Sequence, residues 1–317
     1  MNRSSAQRMI AAALPWLLLA IGVWLVASQV SRPAFLIKAG DVKARVGCIA
    51  MVMTAIVITG GIDLSVGSML ALATVVMASL WTAGVSPELA GCAALATGLA
   101  AGACNGGLVC LGLSPLVATL ATMAFYRGLA VTLAGGRKIT DFEVEPLLDP
   151  NFMGWPGEYW LLLLLFAIAL VTVHFTRLGR WCFAIGDNSI AARYAATPVK
   201  WTQFWLYVAS GSVAGMLAVI YTIRKGANPE EHAGLELEAV ACVVVGGTLI
   251  TGGRGGIART LLGIAVVASL DMGLKLLSGS VSFFTAEARL MVIGSLLILI
   301  AVGNQWVADD DERRVLQ

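Results

Sequence analysis

Charge is what this chain has least of. Only 13% of its 317 residues are Asp, Glu, Lys or Arg, and 58% are apolar, whereas an average soluble domain is about 25% charged. Mean hydropathy is +0.85. Such a chain cannot cover a soluble surface, and with almost no polar remainder it reads as one membrane domain over residues 1–317. A net charge of +2 gives no argument for nucleic acid. The two histidines, His174 and His232, are far apart. The six cysteines (Cys48, Cys92, Cys104, Cys110, Cys182 and Cys242) show no ligand spacing, so they read as free, buried thiols and no metal site is expected. There is no Gly-x4-Gly-Lys-Ser/Thr to cradle ATP phosphates; Gly135-Gly-Arg-Lys138 and Gly252-Gly-Arg-Gly-Gly256 lack that spacing. Neither Gly-x-Ser-x-Gly nor His-Glu-x-x-His occurs, so hydrolytic machinery and a bound cofactor are not expected in this chain.

What is abundant is apolar runs. A membrane crossing needs about 20 apolar residues. Ten candidates lie at roughly 9–29, 46–59, 66–84, 89–113, 115–134, 159–175, 204–222, 238–252, 257–278 and 284–304. The second and eighth are short, which suits tilted, broken or re-entrant segments. Arg3 and Arg8 before Met9–Gln29 imitate a signal peptide, but its length and the spans that follow favour an uncleaved first helix. Ser86-Pro87-Glu88 and Ser114-Pro115 mark helix starts by cap and first-turn proline. Gly98, Gly102 and Gly106, and separately Gly211 and Gly215, form ridges for close helix packing.

One stretch stands apart: Ile58-Thr-Gly-Gly-Ile-Asp-Leu-Ser-Val-Gly-Ser68. A carboxylate near hydrocarbon costs about 2.5–3.5 kcal/mol on insertion scales, so Asp63 needs a partner or a task. Gly60 and Gly61 read as a helix stop, with Asp63 or Ser65 capping the next helix. The same four residues return at Ile250-Thr-Gly-Gly253, again between an apolar segment and a longer apolar helix, so an internal repeat is expected.

Charges within the spans read mostly as structural. Asp271 and Lys275 are one turn apart and neutralise each other. Arg127 and Arg259 lie nearer span ends, where they snorkel. Glu287 and Arg289 point to different sides of one helix. Counting basic residues in the loops gives nearly equal totals on both sides, so orientation is undecided by charge. Two polar connections are long, Gly135–Glu158 and Thr176–Thr202. In the second, Gly186-Asp-Asn-Ser189 supplies a turn and cap for a short helix over Ile190–Ala196, stopped by Thr197-Pro198. Seven residues do not hold a helix alone, so it docks either on the chain's own spans or on a partner.

Thr59-Gly-Gly-Ile-Asp-Leu-Ser-Val-Gly67 resembles the hallmark of the ribose-type sugar permeases of bacterial ABC importers. The resemblance continues through Ser114-Pro-Leu-Val-Ala-Thr-Leu-Ala-Thr122 with Arg127-Gly128, Thr176-Arg-Leu-Gly-Arg180 with Ala184-Ile-Gly-Asp-Asn188, and Gly234-Leu-Glu-Leu-Glu-Ala239 with Val245-Gly-Gly-Thr248 and Gly252-Gly253. It covers roughly residues 45–305. Two departures occur: Glu238 stands where the family usually has Asp, and Ala196-Thr197 where it has Gly-Ile. The resemblance implies an all-α, type II ABC importer-like membrane fold of about ten helices, some broken or re-entrant, with both termini cytoplasmic. It implies a second permease subunit, either another copy or a paralogue, in the bacterial inner membrane. It further implies a periplasmic sugar-binding protein and a separate cytoplasmic ATPase that binds the ATP and Mg. Three residue groups follow from it. A helix-break and translocation group comprises Gly60, Gly61, Asp63, Ser65, Thr119 and Thr122. An ATPase-coupling group comprises Gly186, Asp187, Asn188, Ile190, Ala191, Ala192, Tyr194 and Ala195. A late signature comprises Glu236, Glu238, Gly246, Gly247, Gly252 and Gly253. The competing functions are a proton- or sodium-driven secondary transporter, which would want unpaired intramembrane acids, and an intramembrane enzyme, for which no catalytic constellation is visible. The identity of the sugar stays open.

Overall fold

The computed structural model describes residues 13, 15–24, 26–27, 33–140, 142, 153–278, 291 and 294–295. They are helical throughout, apart from turns and one isolated antiparallel bridge between Ile139 and Ala227. In chain order the helices are α1 (Pro15–Trp24), α2 (Pro33–Ile58), α3 (Val66–Thr82), α4 (Pro87–Cys110), α5 (Pro115–Ala134), α6 (Gly157–Phe175), α7 (Arg177–Asp187), α8 (Ser189–Tyr194), α9 (Val199–Lys225), α10 (Leu235–Val245) and α11 (Ile257–Ser278). Five of them, α4, α5, α6, α9 and α11, are long and apolar enough to cross a membrane. The span expected at 284–304, with Glu287 and Arg289, lies outside the described residues.

Local chemistry sets most boundaries. Pro87 and Pro115 occupy the first turns of α4 and α5. Ser86 and Ser114 hold the cap positions, but neither side chain makes a cap bond, so the prolines' fixed φ starts these helices. Thr176 caps α7 by accepting from the Leu178 amide at 3.2 Å. His174 Nε2 accepts the Ile257 amide at 3.3 Å, at the start of α11.

Two groups of helices pack together. One holds α3, α4, α5 and α9; the other holds α2, α6, α10 and α11; α2 against α9 joins them. The seam between α4 and α9 is made of glycine on both sides. A Cβ on Gly98 would overlap the Gly211 carbonyl and lie 2.8 Å from the Gly215 amide; one on Gly102 would overlap the Tyr207 carbonyl. The two ridges expected from sequence therefore face each other, and bare backbones meet.

Four sequence expectations need correction. The short span at 46–59 is part of the 26-residue α2, so Lys43 and Arg45, just outside the expected span, stand inside a helix. Arg45 is 2% exposed. Its guanidinium lies 4.6 Å from the centre of the Tyr221 ring, a contact that compensates lost hydration. Lys43 pairs with Glu238 and, at 3.0 Å, with Asp271, which also binds Lys275 at 2.8 Å as expected. Arg127, expected to reach water, is half-buried and tied down: its Nη1 donates to the Pro229 carbonyl at 2.6 Å. Glu158 and Arg224, assigned to separate loops, form a buried pair at 2.7–2.8 Å that ties α6 to α9. All six cysteines are free, but Cys92 and Cys104 are exposed rather than buried.

Candidate functional site

The break after α2 is built from two devices. Gly60 adopts a left-handed φ of +78°, and the Gly61 and Gly60 amides donate to the carbonyls of Ile56 (3.0 Å) and Val57 (2.9 Å). This is a Schellman stop, which only glycine enters without strain. Asp63 then starts α3. Its Oδ1 accepts from the Ser65 amide (3.0 Å) and hydroxyl (2.7 Å), and its Oδ2 accepts from Ser210 of α9 at 2.7 Å. Ser65 sits at the N-cap without making a cap bond itself, so Asp63 is the capping residue. The Ser65 hydroxyl accepts from Asn105 of α4 at 2.6 Å, and the Tyr126 hydroxyl of α5 donates to Asn105 at 3.2 Å. Asp63 is fully buried, yet every oxygen has a donor. Thr119 and Thr122, expected beside a pathway, are buried. Thr119 donates to its own helix and to Ile62, and Thr122 only to its own helix.

The two Ile-Thr-Gly-Gly copies meet. The Gly253 amide donates to the Ile58 carbonyl at 2.9 Å. A Cβ on Gly252 would lie 2.8 Å from the Gly60 amide, and one on Gly186 would overlap both the Ile58 carbonyl and the Gly253 amide. Residues from all three sequence-derived groups thus share a junction with no side chain in it. Gly246 packs with equal closeness on the Arg259 carbonyl, at 2.5 Å for an added Cβ, and Gly247 has a φ of +85°.

Beyond Gly186 the chain enters α8. Asn188 Oδ1 accepts from the Ile190 (3.0 Å) and Ala191 (2.9 Å) amides, a side-chain cap on a six-residue helix. The helix begins at Ser189 and ends at Tyr194, two residues short of the expected end, because Ala196 turns to a φ of +57°. Asp187, Ala191 and Ala195 are exposed; Ile190 and Tyr194 are 67% and 90% exposed. Ala192 differs: it is buried on Ile185, Val199 and Trp181. It anchors α8 to the chain itself and is unavailable to a partner.

The late signature splits. Glu238 belongs to the charge chain with Lys43 and Asp271. Glu236 is 6% exposed, and its Oε1 accepts from the Gly234 amide at 3.1 Å at the start of α10. Its Oε2 has no hydrogen-bond partner. Close by, His232 is fully buried with neither ring nitrogen bonded, and Arg45 Nε is likewise unbonded. The Tyr221 ring lies between them, edge-on to His232 at 4.6 Å and facing Arg45. Each buried polar atom left unpaired costs about 1–3 kcal/mol. Burial, followed by the charges of Arg45, Arg127 and Lys225, pushes the His232 imidazole down to about 3, so it is neutral at physiological pH.

The sequence reading missed Asn105, Tyr126, Ser210, Arg45 and His232. An Asn inside the glycine ridge of α4 was a usable signal; the others required knowing which helices touch.

Residues 44–301 match the family described as branched-chain amino acid transport system / permease component. The ribose import permease protein of Bacillus subtilis (strain 168) is 37% identical over 262 residues, 81% of this chain and 80% of the relative. That of Escherichia coli (strain K12) is 35% identical over 264 residues, 80% and 79%. The autoinducer 2 import system permease protein of Yersinia enterocolitica is 32% identical over 269 residues, 82% and 80%. No solved structure matches.

Proposed function

Because the chain belongs to the family of branched-chain amino acid transport system permease components, we propose that it is the membrane permease subunit of an ATP-driven importer of a monosaccharide or related small sugar. The names of the relatives support the sugar: two are ribose import permeases and one imports autoinducer 2. In this reading the chain sits in the bacterial inner membrane as one transmembrane permease domain of about ten helices. The meeting of the two Ile-Thr-Gly-Gly copies supports an internal repeat. A second permease subunit completes the path, a periplasmic binding protein delivers the sugar, and a cytoplasmic ATPase holds the ATP and Mg.

The observation that carries the reading is α8. A short helix, capped by Asn188 and seated by Ala192, presents Ile190 and Tyr194 to the outside. An apolar pair at the tip of a basic loop suits the groove of an ATPase on the cytoplasmic side, which also makes the α7–α8 end the inner face. A push on α8 reaches the α2 stop and the 252–253 turn through the glycine junction, because no flexible side chain lies between to absorb it. The test is Ala195→Trp in a strain carrying the ATPase and binding protein. Membrane insertion stays normal, while co-purified ATPase and D-ribose uptake fall at least tenfold. Wild-type capture and uptake would refute the coupling assignment. Ala192→Trp serves as the contrast, since it unseats α8 and lowers abundance as well.

A further inference from the structure

Connections between helices ordinarily run over the surface, where water satisfies their backbone. The connection from α9 to α10 does so only in part. Gly226, Ala227, Pro229 and His232 are buried, while Glu230 and Glu231 remain outside. Hydrogen bonds tie it to the rest of the chain at few points, and those of the Glu230, Glu231 and Ala233 amides are turns within the segment. Ile139 and Ala227 exchange backbone hydrogen bonds at 2.8 and 2.9 Å. Arg127 holds the Pro229 carbonyl, and Asn228 closes a local turn on the Glu230 amide at 3.1 Å. His232, its most buried side chain, contributes no hydrogen bond. Segments with few such fixings open locally at low free energy.

On its inner side lie polar groups that the closed form does not use: both nitrogens of its own His232, Oε2 of Glu236 and Nε of Arg45. They come together where α3 and α10 begin. Gly67 of α3 packs so closely here that a Cβ would overlap Glu236 Oε2 and lie 2.6 Å from the His232 carbonyl. Arg45 offers a donor, Glu236 an acceptor, and the neutral imidazole one of each. An anion meets the Glu236 carboxylate; a cation meets Arg45 and Arg127. A hydroxyl, donor and acceptor at once, meets neither penalty.

We propose that residues 226–234 form a movable strap, and that His232 on it, with Glu236 and Arg45 beneath it, hydrogen-bonds a polyhydroxylated solute when the strap lifts. The inference rests on the importer reading and adds to it the groups that touch the sugar. The closed structure is the occluded form, in which these groups wait unpaired.

The experiment uses the full permease reconstituted with its ATPase and binding protein, with the exposed Cys92 and Cys104 and the half-buried Cys110 replaced by Ser, and D-ribose as the probe. Ile139→Cys with Ala227→Cys places two thiols on a hydrogen-bonded antiparallel pair, whose Cα atoms lie about 5.5 Å apart and within disulfide range. Oxidation should lower D-ribose import at least tenfold, reductant should restore it, and neither single-cysteine variant should respond. A locked chain that imports at the unlocked rate overturns the strap. Separately, His232→Cys should react with a charged methanethiosulfonate at least tenfold faster during ATP turnover. Millimolar D-ribose should slow that reaction, whereas sodium phosphate and sodium chloride should not. Glu236→Cys repeats the measurement should His232→Cys accumulate poorly. Labelling that turnover leaves unchanged overturns the strap; labelling that phosphate slows and ribose does not overturns the sugar site. If the unmodified complex imports no sugar from a pentose and hexose panel, the importer reading falls, and thiol labelling alone then decides the strap.

Discussion

Asp63 and His232 are both fully buried, both polar, and both carried on segments that interrupt helices, yet their surroundings are opposite. Asp63 has a donor for each oxygen, drawn from α3 and α9, and the network runs on to α4 and α5. His232 has none, and its neighbours Arg45 and Glu236 carry unpaired atoms of their own. Satisfied buried networks rigidify a core, whereas unsatisfied ones mark places where the closed arrangement is only one of those the chain uses. The first break is fully bonded in place, and the proposed strap makes the second the one that moves.

That contrast fails if either side responds like the other. The largest effect should come from Gly186→Val. Its side chain would enter the junction of Ile58 and Gly253, and with only backbone there to yield, the folded permease should be absent from membranes by immunoblot. Asp63→Ala comes next. It strands three donors, so a loss of about 3–5 kcal/mol is expected, read as a lower melting temperature in detergent with abundance and uptake falling together. Asp63→Asn keeps one acceptor oxygen and should recover most of it.

The strap side should respond to pH. The folded pKa of His232 lies below its unfolded value, so its contribution to stability is complete above about 6.5 and is lost as pH falls toward 3. The groups facing it are Arg45 on α2, Tyr221 and Lys225 on α9, Arg127 on α5, Glu231 on its own segment and Glu236 on α10. Linkage with these values gives a loss of about 1.3 kcal/mol at pH 5.5 relative to neutral pH. Thermal melts across pH 5.5–7.5 should show it in the wild type and not in His232→Phe. The smallest effect belongs to Thr122→Val, within about 0.5 kcal/mol, because the Thr122 hydroxyl bonds only to its own helix. A large loss of uptake there would support the pathway role expected from sequence.

How much of this was legible depended on the range of the signal. The stop at Gly60–Gly61, the cap at Asp63, the prolines opening α4 and α5, and the Asn188 cap all use neighbours within a few residues, and the sequence displays them. The glycine ridges on α4 and α9 were visible singly; that they face each other was not. Lys43 and Arg45 fell outside the expected span because cations end an apolar run. What admits them to a helix interior, Glu238, Asp271 and Tyr221, stands far along the chain and carries no mark of the pairing. Ala192 and Ala195 look alike in sequence, and only the packing of α8 on Val199 and Trp181 separates the seat from the exposed face.

The glycine seam between α4 and α9 carries a consequence for how the protein is made. α4 leaves the ribosome with a strip of uncovered backbone, and α5, α6, α7 and α8 must all be synthesised before α9 arrives to close it. During that interval lipid or an insertion chaperone faces the strip, and α9, threading in late, must find a groove that later helices have not filled. A bulky residue at Gly98 or Gly102 would therefore be tolerated until α9 docks and would do its damage at that step, where its Cβ overlaps the Gly211 or Tyr207 carbonyl.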